Sequence, residues 1–415
     1  MTDTGVQADT MKENRLSIFK LAGLGMGLFA VQTFWGFTWT TLPLYLKELV
    51  NSNTVTGIIL STAGITGMVL PVLSGAVSDR LNTALGRRRP VLGAGWLLAC
   101  AMVMLLLHVN TIGIALPLIV IAYAGFFTAI GPYFALLPDT VPHAQRSVAS
   151  GVMFFVGGLG MLSYLLFAAR LWDTSHEWPF YWAVIAIALS TTVMCFSVRE
   201  PREHRPAEHR GNVLLDAFRR RETALFLTGM VLWWIGIWMV SAFFVITCKA
   251  LFHVSTALAV QAFFLLNLSF VLFALPAGLM ASKLGMKPVT VAGLLLLALS
   301  FIAVPLIPSY HAVLPLMVLA GGGYGIMLAV SYPLFLKLVP EGKTAGYVGV
   351  YMAAQNGTLL IGPALGGLLI DYCGYVTHFI GAAAFILAGM VFLIAVPMPE
   401  AAAGVMMPAE LKELN

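Results

Sequence analysis

Long apolar runs alternate with short polar breaks from one end of the chain to the other. Runs able to cross about 30 Å of hydrocarbon as a helix, roughly 17 to 25 residues each, begin near Ser17, Thr54, Pro90, Ile112, Ser147, Pro179, Glu222, Thr256, Pro288, Ala312, Thr344 and Tyr375. The breaks carry turn chemistry, as in Asn51-Ser52-Asn53, Gly86 to Pro90, Pro138 to Pro142 and Gly285 to Pro288. The pattern predicts twelve membrane-spanning helices. An open strand cannot satisfy its backbone in lipid, and the ten-residue alternation of a barrel is missing.

Composition agrees. Of 415 residues, 60% are apolar and 10% charged, against roughly 45–50% and 25% in soluble domains, and the mean hydropathy is +0.91. A soluble enzyme, a disordered chain and a nucleic-acid module are set aside. The net charge of +5 is distributed for orientation. The tails and alternate loops hold Lys12, Arg15, Lys20, Arg80, Arg87, Arg88, Arg89, Arg146, seven arginines from Arg199 to Arg221, Lys283, Lys287, Lys337, Lys343 and Lys412. The other loops hold Lys47, Arg170 and Lys249. Such asymmetry predicts that both termini are cytoplasmic. The apolar run after the polar start lacks a cleavage site and is too long for a signal-peptide core, so residues 1–16 are expected to stay attached as a cytoplasmic tail.

Cys100, Cys195, Cys248 and Cys373 lie far apart without C-x-x-C spacing and read as small packing residues. The charged stretch 198–221 reads as a cytoplasmic linker between a bundle over 17–197 and another over 222–397, followed by a tail over 398–415. Its charges suit a solvated face or an orientation signal, less often a lipid headgroup contact.

The halves repeat one another. Gly75-Ala76-Val77-Ser78-Asp79-Arg80, ending in Gly86-Arg87-Arg88-Arg89-Pro90, recurs as Gly278-Leu279-Met280-Ala281-Ser282-Lys283, ending in Gly285-Met286-Lys287-Pro288. Val141-Pro142 with Gly151 recurs as Val339-Pro340 with Gly349. The Gly-x-x-x-Asp-Arg and Gly-Arg-Arg-Arg elements resemble the signature loop of the major facilitator superfamily. Asp79 through Pro90, with Gly86 seven positions after Asp79, is similar to the sucrose-transporter and glycoside–pentoside–hexuronide branch. Gly131-Pro132-Tyr133, Leu137 to Pro142 and Gln145-Arg146 point the same way. The resemblance implies an all-α membrane protein of twelve transmembrane helices in two pseudo-symmetric six-helix bundles, carrying a small solute by alternating access.

It also implies that the signature loops latch the cytoplasmic side. Gly75 permits close helix approach, Asp79 and Asp139 can accept hydrogen bonds, and Arg80, Gly86, Arg87 and Arg146 complete the expected gate. Topology alone is the competing role for these arginines, more so for Arg88 and Arg89. Ser282 stands where the first copy has its acid, so the latch is expected to be asymmetric.

Solute sites in this architecture lie near mid-membrane between the halves. The expected lining is Gln32, Trp35 and Trp39 on one face of the first span, Tyr123 and Thr128 in the fourth, and Trp234 and Trp238 in the seventh. Asn267, Tyr324, Gln355 and Asn356 complete it from the eighth, tenth and eleventh. A buried amide needs a partner or a wet cavity; tryptophan suits a stacked ring but also fills cores and anchors interfaces. The acids fall in tails, loops or span ends, and no histidine lies at mid-depth, so coupling to a proton or Na+, uniport and exchange all stay open.

The chain is expected to be a secondary active or facilitative carrier of a small polar organic solute, a sugar or glycoside among the choices, monomeric in the inner membrane and in contact with its lipids. No enzyme activity, cofactor, metal or nucleic-acid partner is expected. The rivals are an exporter of amphipathic compounds and a non-transporting sensor or assembly factor.

Overall fold

A computed structural model describes residues 16–142, 145–198, 200, 213–340 and 343–398. Most of the two expected tails and much of the linker therefore lie outside the described residues. Among the described residues, twelve helices are long and apolar enough to cross a membrane. In the first half these are α1 (Ile18–Leu49), α2 (Asn53–Arg80), α3 (Arg88–Leu106), α4 (Ile112–Thr140), α5 (Arg146–Phe167) and α6 (Trp178–Ser197). A short linker helix, Val213–Arg219, precedes α7 (Arg221–Phe252), α8 (Thr256–Leu284), α9 (Met286–Ala303), α10 (Tyr310–Leu336), α11 (Thr344–Cys373) and α12 (Tyr375–Ala395). The fold is all-helical, two bundles of six.

Local chemistry sets the boundaries. Ser52 and Ser255 cap α2 and α8, their hydroxyls accepting from the N–H of Val55 and Leu258. Gly285 and Gly374, at φ +91° and +88°, let the chain reverse between α8 and α9 and between α11 and α12. One departure from regular α-helix has no counterpart among the described residues. Phe37–Thr41 of α1 form a π-helical turn, which adds a residue to the winding just where Trp39 stands.

The halves meet along α2 against α11, along α5 against α8, and where the outer part of α1 packs on α7. The α2–α11 contact is backbone-close: a Cβ on Gly57 would run into Pro363, on Gly64 into Leu360, and on Gly367 into Asn53. Asn356 donates to the Gly67 carbonyl at 3.1 Å. Farther toward the basic loops the helices part. Gly75 lies eighteen residues from Gly57, and Gly349 eighteen from Gly367, five turns at about 3.6 residues each and so on the same helix faces. Yet a Cβ on either would meet nothing within 4 Å. On the other pair Gly158 packs against Val271, whereas Gly151 and Gly278, seven residues on, also face open space. The two bundles are thus closed at the sparsely charged face and splayed at the basic face. Gly75, expected to permit close helix approach, has room for a Cβ in this state.

Candidate functional site: a cavity between the halves

Six of the expected residues line one cavity of about 150 Å³: Gln32, Trp35 and Trp39 of α1, Trp238 of α7, Asn267 of α8 and Tyr324 of α10. The spacing of Gln32, Trp35 and Trp39 puts all three on one face of α1. Trp35 and Trp39 stack at 5.2 Å and 3°, and Trp238 lies on both, at 6.0 and 5.3 Å. Trp234 extends the stack from behind, 4.9 Å from Trp238, and meets the edge of Tyr324. Four indoles from two halves therefore form a continuous aromatic wall.

The polar groups are few and only partly used. Asn267 donates one N–H to the Phe263 carbonyl at 2.8 Å, leaving its amide oxygen available. The Trp238 indole N–H is buried without a hydrogen-bond partner among the described residues. A buried unpaired donor costs about 1–3 kcal/mol, which a solute acceptor or water can recover. Apart from Ser241, whose hydroxyl donates to the Ile237 carbonyl at 2.9 Å, the remaining lining is apolar, including Phe154, Met161 and Phe270. No lining residue is an acid, lysine, arginine or histidine. The site is built to stack a ring and meet a few hydroxyl or amide groups.

The other expected lining residues stand elsewhere. Tyr123 is buried against the edge of Phe34 within the first bundle. Thr128 and Gln355 are half-buried away from this cavity, and Asn356 spends its amide tying α11 to α2. His378, one turn into α12, is fully buried, with Nε2 2.8 Å from the Met239 carbonyl of α7. Sequence reading placed no histidine so deep, because it measured depth along α12 and not toward the neighbouring helix.

The signature loop forms a compact charge network inside the first bundle. Arg87 reaches Asp139 at 2.6 Å, and Arg88 reaches Asp79 at 2.6 Å and Asp139 at 3.1 Å. Arg88 is 4% exposed and also donates to Ser78 and the Gly75 carbonyl, a far more central position than topology alone requires. Glu200, which sequence reading passed over, accepts from the backbone N–H of Arg87, Arg88 and Arg89 at the start of α3. Gly86, at φ +99°, makes the turn into that helix. Arg146 caps the end of α4 through the Pro138 and Val141 carbonyls, and Arg80 is exposed. In the second bundle Lys287 donates to the Ile394 and Val396 carbonyls at the end of α12, and Ser282 donates within its own helix, to the Leu279 carbonyl. The linker helix is tied to the second bundle by Asp216, which accepts from Lys343 at 2.7 Å and Tyr347 at 3.0 Å. These two donors hold its carboxyl below the usual carboxylate range.

The sequence profile of the Major Facilitator Superfamily matches residues 24–274 and 252–409. An uncharacterized MFS-type transporter of Bacillus subtilis (strain 168), YfkL, is 32% identical over 118 residues, a match spanning 28% of each chain. Two crystal structures of the nucleoside transporter NupG share the fold. That of a point mutant superposes with a TM-score of 0.73 at 17% identity, over 91% of this chain and 99% of that one. The other gives 0.71 at 16%, over 91% and 98%. With twelve spans, two bundles and a cavity between them, the chain belongs to the major facilitator superfamily and is a membrane transporter of that type.

Proposed function

We propose that this transporter moves a small, uncharged, ring-bearing polar solute, a sugar or glycoside, by alternating access. The observation that carries the proposal is the cavity: stacked Trp35, Trp39 and Trp238 beside Gln32, Asn267 and Tyr324, with no charged side chain in the lining. A sugar ring presents an apolar face to an indole and hydroxyls to amides, and a glycoside with a flat aglycone adds a second stacking surface. A nucleoside is such a glycoside, which suits the likeness to NupG in fold.

The splayed basic face makes the described state inward-open when that face is cytoplasmic, as the lysine and arginine distribution supports. Both termini are then cytoplasmic, and the carrier works as a monomer in the inner membrane. The uncharged lining favours facilitated diffusion or exchange over ion coupling at the solute site itself.

Thermal stabilisation of the purified carrier by a panel of glycosides, organic acids and lipophilic cations tests this. A ligand at a hundredfold excess over Kd adds about 2.7 kcal/mol. Stabilisation by glycosides that Gln32→Ala and Asn267→Ala each abolish supports the proposal. Stabilisation by lipophilic compounds alone overturns it in favour of export of amphipathic molecules, to which Phe154, Met161 and Phe270 in the lining lend themselves.

A further inference from the structure

The closed end of the molecule carries a second repeat, built from acids. Asp371, at the end of α11, accepts five hydrogen bonds from the start of α2 in the other bundle: from Ser52 Oγ at 2.8 Å, Asn53 N at 3.1 Å and Nδ2 at 2.7 Å, and Thr54 N at 2.8 Å and Oγ1 at 2.9 Å. Asp173, just after α5, does the same in the opposite sense at the start of α8. It accepts from Thr256 N at 2.8 Å and Oγ1 at 2.6 Å, with Lys249 Nζ at 3.5 Å.

The two arrangements are related by the internal repeat. Ser52 and Ser255, the caps of the two clasped helices, are 203 residues apart, as are Gly75 and Gly278. Asp173 and Asp371 are 198 apart, as are Pro142 and Pro340. Each bundle thus sends one carboxylate onto a helix N-terminus of the other, where unpaired backbone N–H groups and the helix dipole favour negative charge. Lys47 and Lys249, two of the three basic residues assigned to this face, flank a hollow of about 380 Å³ between the two clasps.

We propose that Asp173 and Asp371 are paired latches of the outer gate: each carboxylate holds the two bundles together in the inward-open state, and both must let go before the cavity can open outward. The two N-termini are bridged in this state and are freed in the other, so breaking the clasps shifts the population toward outward-open. This rests on the alternating-access reading, and the experiment separates the two.

Spin labels on the full-length carrier in nanodiscs, with the four native cysteines replaced, report both faces by electron–electron distance measurement. Asn51→Cys with His311→Cys spans the outer face, and Leu85→Cys with Leu284→Cys spans the basic face; all four positions are exposed. With Asp173→Asn and Asp371→Asn together, the outer distance is expected to pass from a short majority to a long majority while the inner distance shortens; each single variant gives an intermediate shift. Gly57→Trp, which wedges α2 from Pro363 without touching either carboxylate, is the reference. Movement with the wedge and none with the double variant overturns the latches but leaves alternation standing. No movement with either overturns the alternating-access reading and the latches with it. Should the double variant fail to fold, Thr256→Val with Thr54→Val removes hydroxyl donors from both clasps and keeps the carboxylates. The same shift then supports the proposal, and its absence beside a working wedge overturns it.

Discussion

Trp35 of the first bundle and Trp238 of the second lie 6.0 Å apart with their rings at 22°, and 203 residues separate them in the chain. The repeat that relates Gly75 to Gly278 therefore also relates the two tryptophans that meet at the cavity. Solute bound beside this pair touches both bundles through equivalent side chains, so loss of either is expected to weaken binding. An aromatic stack is worth about 0.5–1.5 kcal/mol beyond its buried area, and Trp238→Ala should raise the solute Kd roughly tenfold. Trp238→Phe should recover part of that in equilibrium binding, and an unchanged Kd for Trp238→Ala would remove the aromatic wall from the site.

Gln32 and Asn356 are both mid-span amides, but their surroundings assign them different work. Gln32→Ala is expected to weaken solute binding with little change in melting temperature. Asn356→Ala removes the tie to the Gly67 carbonyl and should lower stability by about 1 kcal/mol while leaving Kd unchanged. Binding and melting measured on the same two preparations check the contrast.

The open positions at the basic face should tolerate bulk in the described state and forbid it in the other. Gly75→Leu and Gly349→Leu are expected to insert and melt normally, since a Cβ at either meets nothing within 4 Å, yet to lose most transport in proteoliposomes. Gly75→Cys with Gly349→Cys should form a crosslink whose yield rises as the outer gate opens. Full transport by Gly75→Leu would show that α2 and α11 never close at this end.

Within the signature loop, Asp139 and Asp79 should fail differently. Asp139 faces Arg87 and Arg88 with 14% of its side chain exposed, against 41% for Asp79. Asp139→Asn leaves two largely buried guanidinium groups short of a partner and should cost about 3 kcal/mol or more, read as loss of folded yield. Asp79→Asn should fold and impair turnover more than insertion.

Acid should loosen the outer clasp only well below neutrality. Burial works to raise the Asp173 carboxyl, but the Thr256 hydroxyl and N–H and the charge of Lys249 outweigh it and hold it below its ordinary value. A carboxyl depressed in the closed state contributes its stabilisation above the ordinary carboxylate pKa of about 4. It loses that contribution as pH falls through the lower value. Outer-face label distances should therefore stay constant from pH 8 to about 5 and shift only under stronger acid. A shift of these distances between pH 8 and about 5 would show that the Asp173 carboxylate does not hold the clasp.

Much of this was legible in the sequence because membrane physics is one-dimensional. Span length, charge asymmetry and the Gly75–Gly278 repeat need no knowledge of packing, and the spacing of Gln32, Trp35 and Trp39 sets a shared helix face by itself. The failures come where a face must be aimed at a neighbour. Gln355 and Asn356 are adjacent in sequence and point about 100° apart on a helix, so only the identity of the facing helix tells which amide reaches α2. Asp173 and Asp371 escaped notice because the helix starts they bind, by backbone N–H and side chain alike, lie 83 and 318 residues away, and such distant pairs leave no mark in local spacing. Glu200 escaped for the same reason, more than a hundred residues from the helix start it caps.

The π-helical turn of α1 sets the two bundles apart in a way the repeat conceals. Trp35 and Trp238 keep the offset of 203, and so do Ser52 and Ser255 beyond the turn, so the residue added to the winding over Phe37–Thr41 leaves no mark on the repeat outside α1. If that coil relaxed to ordinary α-helix, everything outward of it, Lys47 included, would rotate by about 100°, while Trp39, four residues after Trp35, would keep the shared face. The winding over Phe37–Thr41 therefore sets the direction in which Lys47 points at the hollow it lines. α7 is ordinary α-helix from Arg221 to Phe252 and aims Lys249 without such a turn.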